Sequence, residues 1–350
     1  MKKISVILLL FFSIVGLIAC ERGEHQPDLF QEQMFVMGTM VNVTFADVED
    51  KKSQKVFHDL LTDFKYMHAA WSPSKRGSLR RVNGLLKLES PFSMGPGIRE
   101  LIIQSTELSK KSDYLFNPAI GELIKLWGFQ KDELPQGKPP SDEDIKKIVN
   151  ANLRMEDLII DGLFLSTKKK NFSLDFGGFA KGVAVDKAIE YLKSMGVNNA
   201  IINAGGDLRA IGKKGSKPWR IGIQHPREKS IIASIDIQGD EAVFTSGDYE
   251  RFFEYNGVRF HHILDPRNGY PATETTSVTV IHNNAATADA ASTALFVAGP
   301  TNWEKIAKKM GVDQVMLIDK NGKIYLTPKM RQRIEIKNEQ AQEIITTKHF

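Results

Sequence analysis

The chain has 350 residues, 42% of them hydrophobic and 25% charged, and a formal net charge of +5. That length is enough for one large globular unit or two intimate ones. The charge is too mild to point to nucleic acid, and a single cysteine excludes a disulfide framework and a cysteine zinc site.

In chain order, Lys2 and Lys3 form a basic start, and Ile4 to Val15 is an apolar run too short to span a bilayer comfortably. Leu17-Ile-Ala-Cys20 closes the run with a small residue before the chain's one cysteine. The stretch resembles a bacterial lipoprotein signal, with Cys20 as the lipidation site; an ordinary secretory signal with an incidental cysteine is the alternative. Loss of residues 1–19 removes Lys2 and Lys3, which lowers the formal charge from +5 to +3. A lipid anchor predicts a body tethered to a membrane surface rather than spanning it. Residues 20–33 read as a polar tether, 34–328 as the folded body and 329–350 as a charged, loosely held tail.

Within the body, Met34 to Phe45 alternates like a strand. Val56, Phe57, Leu60, Leu61, Phe64 and Met67 recur with helical period over 53–68, and Trp71-Ser-Pro-Ser breaks the pattern. A second amphipathic helix is predicted over 97–111. Residues 130–140 read as an exposed loop, and Ser141 with Asp144 as a capped start for a short helix. From Leu158 strands dominate, with hairpin turns at Asp161-Gly162, Asn256-Gly257 and Asn321-Gly322. Helices are predicted at about 178–195, 286–298 and 302–310, closed by Gly196, Gly299 and Gly311. The mixture favours an α+β fold with mixed or antiparallel sheets and flanking helices.

Chemistry concentrates in a few segments. Asp175-Phe-Gly-Gly-Phe-Ala-Lys-Gly182 places adjacent glycines and Lys181 at a helix start, where unpaired N–H groups favour an anion. A cation set against the helix dipole implies that an anion sits there. Asp289 and Thr293, four apart, share a helix face beside Ser292, a hard oxygen set suited to Mg²⁺; an alanine-rich helix with a first-turn charge is the plainer alternative. In Arg259-Phe-His261-His262-Ile-Leu-Asp265-Pro-Arg267-Asn-Gly269 only one histidine can face a given side of a strand, where it could act as a general base. Arg267 either forks onto phosphate or pairs with Asp265 across the turn. Asn203-Ala-Gly-Gly-Asp207 and Met37-Gly-Thr39 suggest close backbone approach, and Thr245-Ser246 could supply hydroxyls. No nucleotide-binding P-loop, H-E-x-x-H or G-x-S-x-G motif is present.

Taken in order, M-G-T, F-N-P-A-I-G with L-W-G-F, D-F-G-G-F-A-K-G, N-A-G-G-D, H-I-L-D-P-R-N-G and T-A-D-A-A-S-T resemble the ApbE family of FAD:protein FMN transferases, over Met34 to Thr327. The resemblance implies a Mg²⁺-dependent enzyme that takes FAD as substrate, transfers FMN to a threonine or serine hydroxyl of a flavoprotein and releases AMP. It implies that Asp175 and Lys181 contact FAD, that Met37, Trp71, Leu115, Phe116, Asn117 and Ile263 line its cleft, and that Gly178, Asp289, Ser292 and Thr293 form the metal site. The family often has aspartate in place of Asn117 and threonine in place of Asn268. His262 is the expected base, with His261 as the alternative. The implied acceptors are membrane-bound redox subunits, such as those of sodium-pumping or Rnf-type electron-transfer complexes. The implied location is a lipid anchor at the periplasmic face of the inner membrane, with the outer membrane as the alternative. FAD hydrolysis to FMN and AMP, or non-catalytic flavin binding, are the alternative functions.

Overall fold

A computed structural model describes residues 26–131, 133–337, 340 and 343–348. Cys20 and the signal stretch lie outside the described residues. Among the described residues no helix is long and apolar enough to cross a membrane.

The chain opens with a hairpin of β1 (Leu29–Val36) and β2 (Thr39–Ala46), then α1 (Asp50–Trp71) and α2 (Ser78–Leu86). Strand β3 (Phe92–Ser93) leads to α3 (Pro96–Lys111), α4 (Gly121–Leu126) and α5 (Asp142–Val149). Strands β4 (Leu158–Asp161) and β5 (Phe164–Thr167) precede α6 (Ala180–Ser194), which follows the glycine block. Next come β6 (Ala200–Ala204), β7 (Asp207–Ile211), β8 (Arg220–Gln224), β9 (Ile231–Asp236), β10 (Glu241–Gly247), β11 (Phe252–Tyr255), β12 (Val258–His261) and β13 (Thr275–His282). The chain continues through α7 (Ala285–Met310), β14 (Val315–Asp319), β15 (Ile324–Leu326), α8 (Pro328–Arg333), β16 (Glu335–Ile336) and β17 (Ile344–Thr346).

The frame is a nine-stranded sheet in the order β1-β2-β6-β7-β10-β13-β14-β15-β17, antiparallel except for the β15–β17 pair. One face carries the main core, where Val56, Leu60 and Phe64 of α1 and the alanine-rich α7 pack on sheet residues such as Val43, Phe244 and Val280. The other face packs Leu208, Val243 and Met316 against the β16-β9-β8 sheet and Met330 of α8. Central strand β13 is therefore buried on both faces over Thr275–Ile281. A smaller apolar group joins α4 and α5 to the β11–β12 hairpin through Trp127, Phe129, Ile145 and Phe253. This lobe overhangs one wall of the cleft described below.

Most elements follow the sequence pattern. The Ser141 hydroxyl accepts from the Asp144 N–H at 3.2 Å, and helix α7 breaks its backbone at Gly299 (φ 69, ψ 174) before Pro300. Three expectations fail. The stretch from Met34 to Phe45 is two strands, because Met37 (φ 56) and Gly38 (φ 73) turn the chain in the left-handed region. The first strand also starts at Leu29, inside the presumed tether. Nor are the described residues of the charged tail loose: Met330, Ile334 and Ile336 are buried, and β16 and β17 pair with β9 and β15. Arg333 is held as well, pairing with Glu241 at 2.6 Å and donating to the Asp236 carbonyl at 2.9 Å. Met330→Ala should cost about 2–5 kcal/mol of stability, seen as a lower urea midpoint; an unchanged midpoint would show that α8 is not part of the cooperative core.

Candidate active site

The glycine block is held from two sides before it enters α6. Asn83 of α2 donates to the Leu174 carbonyl at 2.9 Å and accepts the Leu174 N–H at 2.8 Å. Asp175 then turns the chain by accepting the Gly177 N–H at 2.8 Å, and its other oxygen takes Gln130 at 3.4 Å. Burial raises the Asp175 pKa above the usual carboxylate value against these hydrogen bonds. Past the block, the Gly182 N–H does not turn to the carbonyl four residues back, as in a regular helix. It donates to Asp289 of α7 at 2.9 Å. The Gly178 carbonyl is thereby left without a donor among the described residues. A Cβ on Gly178 would lie 3.0 Å from the Thr293 hydroxyl oxygen, so the block and α7 nearly touch here.

Helix α7 supplies the opposite oxygen donors. Asp289 is 4% exposed and hydrogen-bonded through Oδ2 alone. Burial raises its pKa, with Lys181 opposing. The Ser292 hydroxyl donates to the Asp289 carbonyl at 2.9 Å and meets Ser246 at 2.8 Å; Ser246 also lies 3.3 Å from the Thr293 hydroxyl. One carboxylate, hydroxyls and an unused backbone carbonyl make a hard oxygen set. A donor set made wholly of oxygens suits Mg²⁺ completed by phosphate oxygens rather than Zn²⁺. The residues present therefore fit the expected ion.

Lys181 requires a correction. The anion implied by its place against the helix dipole is already in the chain: Asp207 of the N-A-G-G-D segment accepts its ammonium and also the Thr245 N–H, the latter at 2.9 Å. Burial opposes the lysine charge, but Asp207, Glu250 and Asp289 outweigh it and hold the pKa above the ordinary value. Lys181 still faces the cleft.

The cleft measures about 490 Å³, a usual size for small-ligand sites. Met37, Trp71, Leu115, Phe116, Asn117, Asp175, Gly178, Lys181, His262, Ile263 and Thr293 all line it, while Asp289 and Ser292 lie buried behind this wall. The Asn117 amide is committed within the protein, donating to the Leu153 carbonyl beyond α5 at 2.8 Å and accepting the Ala119 N–H at 3.1 Å. Arg267 does not reach the cleft. Its guanidinium forks onto Asp265 at 2.6–3.1 Å and onto the Val297 carbonyl at 3.2 Å, so local pairing wins over phosphate.

The two histidines part as the strand pattern requires. His261 is 5% exposed; one ring nitrogen meets the Ala272 carbonyl at 2.8 Å and the other accepts the Ile263 N–H at 3.2 Å. His262 points to the cleft with Nδ1 3.2 Å from the Arg251 carbonyl. A carbonyl can only accept, so Nδ1 carries the proton and Nε2 keeps its lone pair. Burial, then the positive charges of His261, Arg251 and Lys181, lowers the His262 pKa.

Several cleft residues escaped sequence reasoning: His68, which accepts the Met37 N–H at 3.0 Å, and Gln130, Glu250 and Arg251; Gly205, by contrast, lies in the N-A-G-G-D segment where close backbone approach is expected. A Cβ on Gly205 (φ 71) would sit 2.1 Å from the Thr39 hydroxyl oxygen, so glycine lets this turn close onto the β1–β2 turn. Arg251 donates to the carbonyls of Phe129 and Lys131 at 3.1 and 2.6 Å, which ties the start of the 130–140 loop to the cleft rim.

An α+β body with a glycine-built, oxygen-lined cleft and a histidine at its wall is the arrangement found here. The chain belongs to the ApbE family, whose sequence pattern matches residues 37–316. It is 37% identical over 309 residues to an FAD:protein FMN transferase of Rhodobacter capsulatus, covering 88% of this chain but only 59% of that protein's length. It is 30% identical over 316 residues to an FAD:protein FMN transferase of Vibrio cholerae, covering 87% of this chain and 91% of the relative. The crystal structure of the ApbE protein from Thermotoga maritima superposes with a TM-score of 0.80 at 31% identity, covering 87% of this chain and 99% of that one.

An NMR titration should find the His262 ring neutral through pH 6.5, since its pKa lies below that value. The sign for stability follows: as pH falls below 6.5 the unfolded chain takes up a proton that the folded ring refuses, so His262 lowers stability on the acid side. A His262 midpoint at or above 6.5 would contradict both statements.

Proposed function

We propose that this protein is an FAD:protein FMN transferase that moves FMN from FAD to a threonine or serine hydroxyl of a target flavoprotein, with AMP leaving. The observation that carries the reading is the meeting of His262, Gly178 and Thr293 in one cleft, with the Asp289 carboxylate directly behind its wall. The names of the Rhodobacter and Vibrio relatives support the activity. The hydroxyl oxygen attacks the phosphorus on the FMN side of the diphosphate, the bond from that phosphorus to the bridging oxygen breaks, and the hydroxyl proton passes to His262 Nε2. A histidine with a lowered pKa is always in the accepting form but is a weak base; an anionic diphosphate bound nearby raises its basicity toward the useful range. Mg²⁺ would be held by Asp289, Thr293 and the Gly178 carbonyl, with Ser292 bracing Asp289 from behind, and it supplies neutralisation of the charge on the diphosphate oxygens. Lys181, fixed by Asp207, adds a second positive charge at the same wall. Met37, Trp71, Leu115, Phe116 and Ile263 give the apolar surface for the FAD rings.

The lipoprotein-like signal ending at Cys20 supports a lipid anchor, which we place at the periplasmic face of the inner membrane, with the outer membrane as the alternative. There the acceptors would be membrane-bound redox subunits, and the lipid tether would keep enzyme and acceptor in one plane.

The decisive assay combines the protein, FAD, Mg²⁺ and an acceptor subunit. Flavin fluorescence on the acceptor in a denaturing gel is the expected result; free FMN beside an unlabelled acceptor would mean hydrolysis, and unchanged FAD a binding protein. His262→Ala should slow transfer by about 10²–10⁴-fold, and transfer at the wild-type rate would remove it as the base. Asp289→Ala should abolish Mg²⁺-dependent turnover, whereas an unaltered Mg²⁺ response would remove Asp289 from the site.

A further inference from the structure

Helices α6 and α7 meet in a reciprocal arrangement that uses a carboxylate outside the proposed reaction. Gly182 of α6 donates its N–H to Asp289 of α7 at 2.9 Å. In return Ala285 and Ala286, the first residues of α7, donate theirs to Asp186 of α6 at 2.8 and 3.0 Å. Both exchanges have the same spacing, since Gly182 and Ala285 each precede the carboxylate of their own helix by four residues. The helices cross so closely that a Cβ on Gly182 would lie 2.5 Å from the Ala285 carbonyl oxygen and 2.7 Å from the Ala286 Cα.

The two carboxylates differ in their remaining partners. Asp186 also accepts the Asn284 amide at 2.7 Å and the Arg209 guanidinium, and Arg209 is in turn held by Asp240 at 2.8 and 3.0 Å. Asp289 accepts only the Gly182 N–H and keeps one oxygen clear. One member of the pair is saturated with protein donors, while the other retains binding capacity.

We propose that Asp186 is a positioning residue for the divalent-ion site. By gripping the start of α7 it sets the axial register of that helix against the glycine block, and so the distance from Asp289 and Thr293 to the Gly178 carbonyl. An anion at a helix N-terminus is stabilised by the N–H groups and dipole there, and a buried carboxylate with four donors has one position it can occupy. Replacing one oxygen by an amide NH₂ turns two of those donors against a donor, and α7 must shift to relieve it.

The inference rests on the reading of Asp289 and Thr293 as ligands, and the test separates the two. Mn²⁺ binding is measured by electron paramagnetic resonance, with FAD present, for wild type, Asp186→Asn and Asn284→Ser; FAD affinity without metal is measured by flavin fluorescence. Serine still caps α7 through its hydroxyl but cannot reach Asp186 with an amide, so this milder variant decides if Asp186→Asn does not fold. Asp186→Asn should weaken Mn²⁺ binding by about 10–100-fold, as for partners of metal ligands elsewhere, and Asn284→Ser by a few-fold, with metal-free FAD affinity little changed. Excess Mg²⁺ should restore turnover in both, a rescue that general loss of structure would not give. Wild-type Mn²⁺ affinity in folded Asp186→Asn, or in Asn284→Ser where the first variant is unfolded, overturns the proposal. Absence of Mn²⁺ binding in the wild type itself would overturn the ligand reading and this inference with it.

Discussion

Each of two helix N-termini holds the other helix's carboxylate, and the rest of the site depends on that exchange. Because the Gly182 N–H turns to Asp289, the Gly178 carbonyl loses its usual helical partner and becomes available. Because Ala285 and Ala286 turn to Asp186, the start of α7 cannot slide along α6. The glycine at 182 is what allows the approach, since any Cβ would collide with the backbone of Ala285. Propensity alone would disfavour glycine inside a helix by about 1 kcal/mol relative to alanine; here the crossing geometry outweighs it.

The large sheet gives this crossing a rigid floor. Helices α6 and α7 lie on one face of it, and strand β13 beneath is buried on both sides, so neither helix can sink or tilt without disturbing two cores. The opposite wall is built differently. The β1–β2 turn and the lobe of α4, α5 and the β11–β12 hairpin reach the cleft through single hydrogen bonds and ring contacts, such as Met37 to His68 and Arg251 to the start of the 130–140 loop. The oxygen donors thus stand on the sheet-backed side, while His262 and part of the apolar lining stand on the lobe.

Much of this was legible in the chain. Apolar residues at helical spacing gave α1, and turn dipeptides such as Asn256-Gly257 gave the hairpins, because local chemistry decides those choices. Asp289 and Thr293 could be put on one face of a helix by counting four. The failures share a cause in long-range pairing. Lys181 finds its anion in Asp207, 26 residues on, and no local rule announces that partner. Methionine seldom adopts a left-handed turn, so Met37-Gly38 looked like mid-strand, whereas His68 on α1 accepts the turn's N–H. The tail looked too charged to pack because its few apolar residues alternate with charges, and only the waiting face of β9 reveals which side counts. Arg267 is a different case: the sequence leaves two readings open, and the pairing with Asp265, two residues away, is the one observed.

The unpartnered carbonyl of Gly178 and the buried, singly bonded carboxylate of Asp289 also bear on how this protein can evolve. Asp289 in particular is not what stability alone would select, since a buried carboxylate without full hydrogen bonding costs free energy in the folded state. A drift toward greater robustness would start by closing this gap, with a regular helical turn at Gly178 and an apolar residue at 289. A chain changed in that way would lose the oxygen set that the proposed reaction needs, so stability and that activity pull in opposite directions at these positions.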